Sequence, residues 1–265
     1  MSVILKLSEL VKRFDRKIWP NHRIVLTPRL AALLERSKLV IADVGAASGP
    51  EERWQSLRQY VHFVTFEPLE RSETVSGESG TTHFAVGLGA EKKSALLYLT
   101  KDADASTLYR VNTKLINDFP IQEWLEIVGS TQIQLDSLDD CLSGRPDLSP
   151  DFLKIDVEGA DLEVLRGGHE ALERSVLAVR VEVSFVERHV GSPFFGETDA
   201  FLRAHGFMLS HLSNEYWIRR NLFHGFTSQP QLIWGDAVYV LSLEHLLKRL
   251  AAVPVEKREQ ILVKF

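Results

Sequence analysis

One cysteine in 265 residues, Cys141, excludes a disulfide framework. No apolar run approaches the roughly 18–20 residues of a membrane-spanning helix. MSVILKLSEL also lacks the long apolar stretch of a secretory leader, so the cytoplasm is the expected location. HExxH is missing, and nine histidines without ligand spacing offer no zinc set. There is no GxSxG elbow for a serine nucleophile, and Cys141 in LDDCL reads as a core-facing thiol. GxGxxG is absent too, which argues against a dinucleotide-phosphate cradle. No basic–aromatic run resembles an RNA-reading strand, so nucleic acid is not an expected partner.

What is present is a chain 45% apolar and 25% charged, enough to build a sizeable core and too apolar for extensive disorder. Its charge is uneven. Residues 1–40 carry nine Lys/Arg against three Asp/Glu (+6), which leaves 22 against 33 (−11) for residues 41–265. Val3, Ile4, Leu7, Leu10, Val11 and Phe14 recur at helical spacing among lysines and arginines, a basic amphipathic helix over residues 3–17. Three roles stay open for it: packing on the body, packing on a second copy in a homodimer, or peripheral contact with an anionic inner-membrane surface. A further helix is expected from Pro28 to Arg36, since proline suits the first helical turn. Residues 1–38 thus read as an N-terminal helical extension, and 39–265 as one domain.

That domain alternates strand and helix. KLVIADVG, VHFVTFEP and THFAVGLG read as strands, with a helical segment over SGPEERWQSLRQY between the first two. ALLYLT either extends the third strand region or forms an edge hairpin. DFLKIDV is a strand, EGADLEVLRGGHEALER a helix weakened at Gly167 and Gly168, and VLAVRVEVSF another strand. Phe195 to His205 is expected to be helical, GFMLSHL and AVYVLSL to be strands, and SLEHLLKRL a closing helix. Such alternation predicts a mostly parallel α/β sheet with helices on both faces.

Ligands of open α/β sheets bind beyond the C-terminal strand ends. Asp43, Gly45 and Ala46 lie at the first such end, in IADVGAASG. Glu67 ends the next strand, 24 residues after Asp43, where a carboxylate can accept two hydrogen bonds from a ribose diol. The plainer role is a cap on the following turn. Asp156 and Glu158 in KIDVEG, with Glu182 in VRVEVSF, form an acidic constellation able to deprotonate an alcohol, hold a divalent cation such as Mg²⁺, or complement a cationic cofactor. Glu158 is expected to begin the next helix and serve its positive N-terminus. His189 follows the VEVSF strand and could reach the crevice; a solvated loop histidine is the plainer reading. His211 and His224 could also overhang the sheet. Aromatic residues at 190–235, among them Phe194, Tyr216, Trp217 and Trp234, suit either a sugar-stacking acceptor cap or a buried one.

DVGAASG, TFEP, AVGLG with ALLYLT, DASTLYR, IQLDSLDDCL and DFLKIDVEGADLEVLRGG, in that order, resemble the FkbM family of S-adenosylmethionine-dependent methyltransferases. The resemblance covers about residues 39–185, and WGDAVYV looks like the family's final strand. It implies a Rossmann-like class I methyltransferase with a seven-stranded sheet, and methyl transfer to oxygen, often a hydroxyl of a sugar or glycoconjugate. Expected acceptors are a saccharide, a nucleotide-sugar or a lipid-linked glycan. Asp43 and Gly45 would occupy the first cofactor motif, Glu67 would meet the ribose, and Asp156 would stand near donor and acceptor. Asp156 or His189 would then take the hydroxyl proton, or Asp156 with Glu182 would hold Mg²⁺. The family commonly has Asn where Ala47 stands. Two alternatives remain: a nucleotide-dependent oxidoreductase, and a non-catalytic interaction protein with a degenerate pocket.

Overall fold

A computed structural model describes residues 27–46, 52–69, 80–120, 123–220 and 229–265. The basic segment 3–17, Ala47 and His224 lie outside them. Helix α1 (Pro28–Arg36) forms where expected: Thr27 caps it by accepting from the Leu30 amide at 3.2 Å, and Pro28 takes the first turn.

Strands β1 (Leu39–Val44) and β2 (Val61–Phe66) follow, and the helical segment expected between them is, in the described part, a 3₁₀ helix, Glu52–Tyr60. Both strands are apolar on both faces and almost wholly buried, the pattern of a parallel sheet covered on two sides. The third expected strand divides. β3 (Thr81–Phe84) pairs with β2, whereas β4 (Gly87–Leu88) joins β5 (Lys93–Thr100) and β6 (Ile127–Asp136) in a separate three-stranded sheet. ALLYLT therefore neither extends the main sheet nor forms a hairpin on its edge. Leu97, Ile133 and Leu135 give this small sheet its own buried cluster.

Short helices α2 (Thr113–Ile116) and α3 (Leu138–Cys141) precede β7 (Phe152–Ile155). Beyond β7 come α4 (Asp161–Gly167), α5 (His169–Arg174) and β8 (Ala178–Ser184). The single helix expected here breaks at the glycine pair, and packing explains why. A Cβ on Gly167 would lie 2.1 Å from the carbonyl oxygen of Gly89, so only glycine allows the helix to close on the end of β4. Asp139 then caps α5, accepting from the amides of Glu170 and Ala171, each at 2.9 Å. Cys141 is half-buried against the main core, and burial pushes its thiol up to about 11, as expected of a packing residue.

The chain closes with α6 (Phe195–Ala204), β9 (Phe207–Leu212), β10 (Glu215–Ile218), β11 (Pro230–Leu241), α7 (Leu243–Ala252) and α8 (Val255–Lys264). The main sheet runs β3-β2-β1-β7-β8-β11-β10, with β9 also on β11. β3 through β8 are mutually parallel, and β11 runs antiparallel to β8, β9 and β10. The sheet is Rossmann-like and mostly parallel, with eight strands among the described residues rather than seven. The extra one arises because β11 is long enough to pair with β9 through residues 237–241 and with β10 through 230–234. No helix among the described residues is long and apolar enough to cross a membrane.

From β1 the chain moves outward to β2 and β3, then returns to β7 on the other flank of β1. The C-terminal ends of β1 and β7 therefore bound the switch point where such sheets open a ligand crevice.

Candidate functional site

Gly45 turns the chain at the end of β1 with φ +78°, and its amide donates to Phe66 O at 3.1 Å. A Cβ there would sit 2.0 Å from the carbonyl oxygen of Asp156. The β1 and β7 turns therefore touch at backbone distance, which only glycine permits. Gly45→Ala is expected to destabilise the fold by at least about 2 kcal/mol, from the unfavourable φ and the clash together. An unshifted thermal midpoint would show that the two turns are not tied this way.

One crevice is lined by Gly45, Glu67, Asp104, Ser106 and Asp156, with Leu97, Leu108 and Ile133 on its apolar wall. The small sheet supplies Leu97 and Ile133 to that wall. DASTLYR supplies Asp104, Ser106 and Leu108, and the Thr107 hydroxyl pins this loop to the β7 turn by donating to Glu158 O at 2.6 Å. Glu67 is buried, and its Oε1 accepts from the Leu69 amide at 3.1 Å, so it caps the following turn while facing the crevice. Ala46 is buried behind the turn. Asp156 is an accessible acid at the end of β7, with its side chain 43% exposed.

Asp43 lies deeper. Parallel register sets it opposite Lys154 on β7, and Lys154 Nζ stands 3.0 Å from Asp43 Oδ1 and 3.6 Å from Asp156 Oδ2. Lys154 thus joins the first acidic strand end to the second. It was not singled out from the sequence, although alternation along β7 puts it on the same face as Asp156.

Behind Asp156 is a nest of buried charge. Asp156, Glu158 and Glu182 have carboxylate oxygens within 4.8 Å of one another. Glu158 does not begin a helix: it sits before α4 at φ +51°, a conformation rarely held by a residue with a side chain. Asp161 serves the helix start instead, accepting from the amides of Gly159 at 3.1 Å and Val157 at 3.4 Å. Burial raises Glu158 to about 7 against the opposing pull of Arg188, and raises Glu182 well above the usual carboxylate range. Burial, with the nearby Glu182 and Asp156 charges, lifts Asp161 to about 8.

The counter-charge is Arg188, 0% exposed. Its guanidinium donates to Glu182 Oε1 through Nη2 and to Ser184 Oγ through Nε at 3.3 Å. Nη1 lies 3.6 Å from Glu158 Oε2, and the Trp234 ring centroid is 5.3 Å from the guanidinium carbon. Nothing in the sequence marks this arginine as buried, because arginines are rarely so. The one available signal is that Glu182 and Ser184 share a strand face, leaving a buried acid in need of a partner.

His189 is not a solvated loop residue. It is 0% exposed, packed on the Gly159 turn, and its two ring nitrogens have no hydrogen-bond partner among the described residues. Burial first, and the Arg188 charge second, lower it to about 3, which keeps the imidazole neutral. His211 lies within β9, on the far flank of β11. Of the aromatic residues at 190–235, Trp217 is buried in a cluster with Phe119 and Trp124, and Trp234 lies against Arg188, whereas Phe194 and Tyr216 are exposed. Packing thus accounts for the buried Trp217 and the partly buried Trp234, and among the described residues Phe194 and Tyr216 present surface.

Residues 43–209 match the family model described as "Methyltransferase FkbM domain". Among curated proteins, Methyltransferase 1 of Beauveria bassiana is 32% identical over 110 residues, 39% of this chain and 44% of that protein. The chain therefore aligns with less than half of that relative's length. The 2-O-methyltransferase NoeI of Sinorhizobium fredii is 23% identical over 186 residues, 65% of this chain and 75% of that protein. A solved structure of methyltransferase FkbM from Methylobacillus flagellatus overlaps 77% of this chain and 43% of its own, with 15% identity and a TM-score of 0.40.

Proposed function

We propose that this chain, which belongs to the methyltransferase FkbM family, is an S-adenosylmethionine-dependent O-methyltransferase acting on a hydroxyl of a sugar or glycoconjugate. The observation that carries the reading is the meeting of Gly45, Glu67 and Asp156 in one crevice at the sheet's switch point. The residues suit the cofactor: an acid for the ribose hydroxyls, leucine and isoleucine side chains for an adenine face, and carboxylates near a sulfonium charge. When bound, that sulfonium supplies an electrophilic methyl group.

The chain's own task is to orient the acceptor, exclude water and take a proton. Asp156 is the best-placed base, exposed to the crevice and adjoining both Lys154 and the buried acids. With the cofactor held in this crevice, its sulfonium would supply the methyl group to the acceptor oxygen, and Asp156 would take the hydroxyl proton. His189, buried and low in pKa, is a poor base, and its place behind Gly159 suits holding the turn. Oxygen as the acceptor atom is supported by the name of the 2-O-methyltransferase relative. The sugar rests on the family resemblance and on the exposed rings of Phe194 and Tyr216, which offer faces for stacking.

A Mg²⁺ reading is favoured by the closeness of Asp156, Glu158 and Glu182. The fit is poor. Arg188 already holds Glu182 and neighbours Glu158, so a cation would have to displace a guanidinium that is itself buried. The metal-free route is preferred.

Glu67→Ala is expected to weaken S-adenosylhomocysteine binding at least tenfold by calorimetry, equivalent to about 1.4 kcal/mol. Unchanged affinity would remove the ribose assignment. Mass spectrometry of candidate sugars, nucleotide-sugars and lipid-linked glycans for the gain of one methyl group identifies the acceptor.

A further inference from the structure

At the opposite end of the sheet lies a cavity of about 650 Å³. Val40 near the start of β1, His62 of β2, and Asp151 and Leu177 just before β7 and β8 border it, so it opens at the N-terminal strand ends. The four residues of β7 separate Asp151 from Asp156, five residue steps or roughly 16 Å of extended chain. The cavity is distinct from the crevice.

Its lining is cationic in a body that is otherwise acidic. Lys38, Arg174, Arg249, Lys257 and Lys264 face it, against Asp147 and Asp151. Both acids are engaged: Asp151 Oδ2 accepts from Lys264 Nζ at 2.8 Å and from the Val40 amide at 2.8 Å, and Asp147 pairs with Arg145 at 3.1 Å. Arg174 pairs with Glu170 at 2.9 Å. Among the described residues this leaves Lys38, Lys257 and Arg249 without a carboxylate at ion-pair distance. Arg249 is held by backbone alone, donating to Val176 O at 2.7 Å and to Leu172 O. Burial lowers Arg249 to about 10 against the weaker opposing pull of Glu173. Val40, Leu148 and Leu177 give the cavity an apolar floor.

We propose that this basal cavity is a second binding site, which takes a phosphate-bearing anion. Phosphate oxygens suit this lining, because a guanidinium and two mobile ammonium groups can converge on several acceptors at once. A free phosphate ester and a phospholipid headgroup share that chemistry.

The test uses the full-length protein with pyrophosphate as the probe, titrated calorimetrically with and without saturating S-adenosylhomocysteine. Saturable binding is expected, unaffected by S-adenosylhomocysteine and weakened at least tenfold in the double variant Lys38→Gln/Lys257→Gln. Both lysines are exposed, so the variant is expected to fold, and its S-adenosylhomocysteine affinity serves as the control. Absence of saturable binding, displacement by S-adenosylhomocysteine, or equal affinity in the double variant would each overturn the proposal. The methyltransferase reading stands or falls separately, on the Glu67 variant. Co-sedimentation with phosphatidic acid–phosphatidylcholine vesicles identifies the source. Sedimentation lost in the double variant indicates a headgroup, and pyrophosphate binding without sedimentation indicates a soluble ester.

Discussion

Arg188→Leu is expected to destabilise the protein by about 3–5 kcal/mol, the loss seen when one partner of a buried ion pair is removed and the other charge stays. Two carboxylates are stranded here, since Arg188 serves Glu182 directly and Glu158 at 3.6 Å. The pH dependence separates this from a simple packing defect. Burial already holds Glu158 and Glu182 above their ordinary value of 4.5 in the folded chain, Glu158 at about 7. Between those values the folded state binds more protons than the unfolded one. The stability linked to these protons is therefore present in full below pH 4.5 and is lost as pH rises through about 7. Without the guanidinium the carboxyls would bind protons more tightly still, so the variant should suffer more at about pH 8 than at about pH 5.5. Urea midpoints at the two pH values measure this. Equal losses would mean that Arg188 acts through volume and its Trp234 contact. Arg188→Lys should restore part of the loss, because an ammonium supplies the charge without the fork that meets both Glu182 and Ser184.

How far the sequence reaches is set by how local each signal is. β1, β2, β7 and β8 were legible because each is rich in Val, Leu, Ile or Phe, and β1, β2 and β7 run into an acid or glycine at the C-terminal end. The convergence of Gly45, Glu67 and Asp156 followed from that alone, since parallel strands bring their C-terminal ends together. β5 was misplaced, and β6 was not read as a strand, for the converse reason. Leu97, Ile133 and Leu135 are buried amid exposed neighbours, and alternation says that one face is covered without saying by which sheet. β10 was not read as a strand because only Trp217 of its four residues is buried. Arg188 and His189 were missed as buried groups because their environment is assembled from β8, the Gly159 turn and β11, which no single window contains. The basal cavity is a stronger case of the same kind. Its cations come from positions 38, 174, 249, 257 and 264 and meet only because four strands begin at one end of the sheet. Lys38 belongs to the +6 segment and the other four to the −11 remainder, and those totals give no hint that the five share one concavity.

Asp156→Asn is expected to lower turnover by about 10²–10⁴-fold, the usual contribution of a positioned general base, while S-adenosylhomocysteine affinity stays within a few-fold. The substitution preserves size. The β1–β7 junction has other supports: Lys154 keeps its 3.0 Å contact with Asp43, and the Asp156 amide still donates to Val44 O at 3.1 Å. A large loss of activity with intact binding would therefore report on proton removal, not on a collapsed crevice. Single-turnover measurement makes the distinction sharp, since it excludes product release. Normal turnover would reject Asp156 as the base. The same assay decides the cation question. With Glu182 and Glu158 committed to Arg188, EDTA is expected to leave the wild-type rate unchanged, because the proton leaves through Asp156 with no metal holding the hydroxyl. Activity abolished by EDTA and restored by Mg²⁺ would instead require Arg188 to move aside and the three carboxylates to close on an ion. The Arg188→Leu protein should then bind Mg²⁺ more tightly than wild type, whereas under the metal-free route the substitution gives no Mg²⁺-dependent gain in activity.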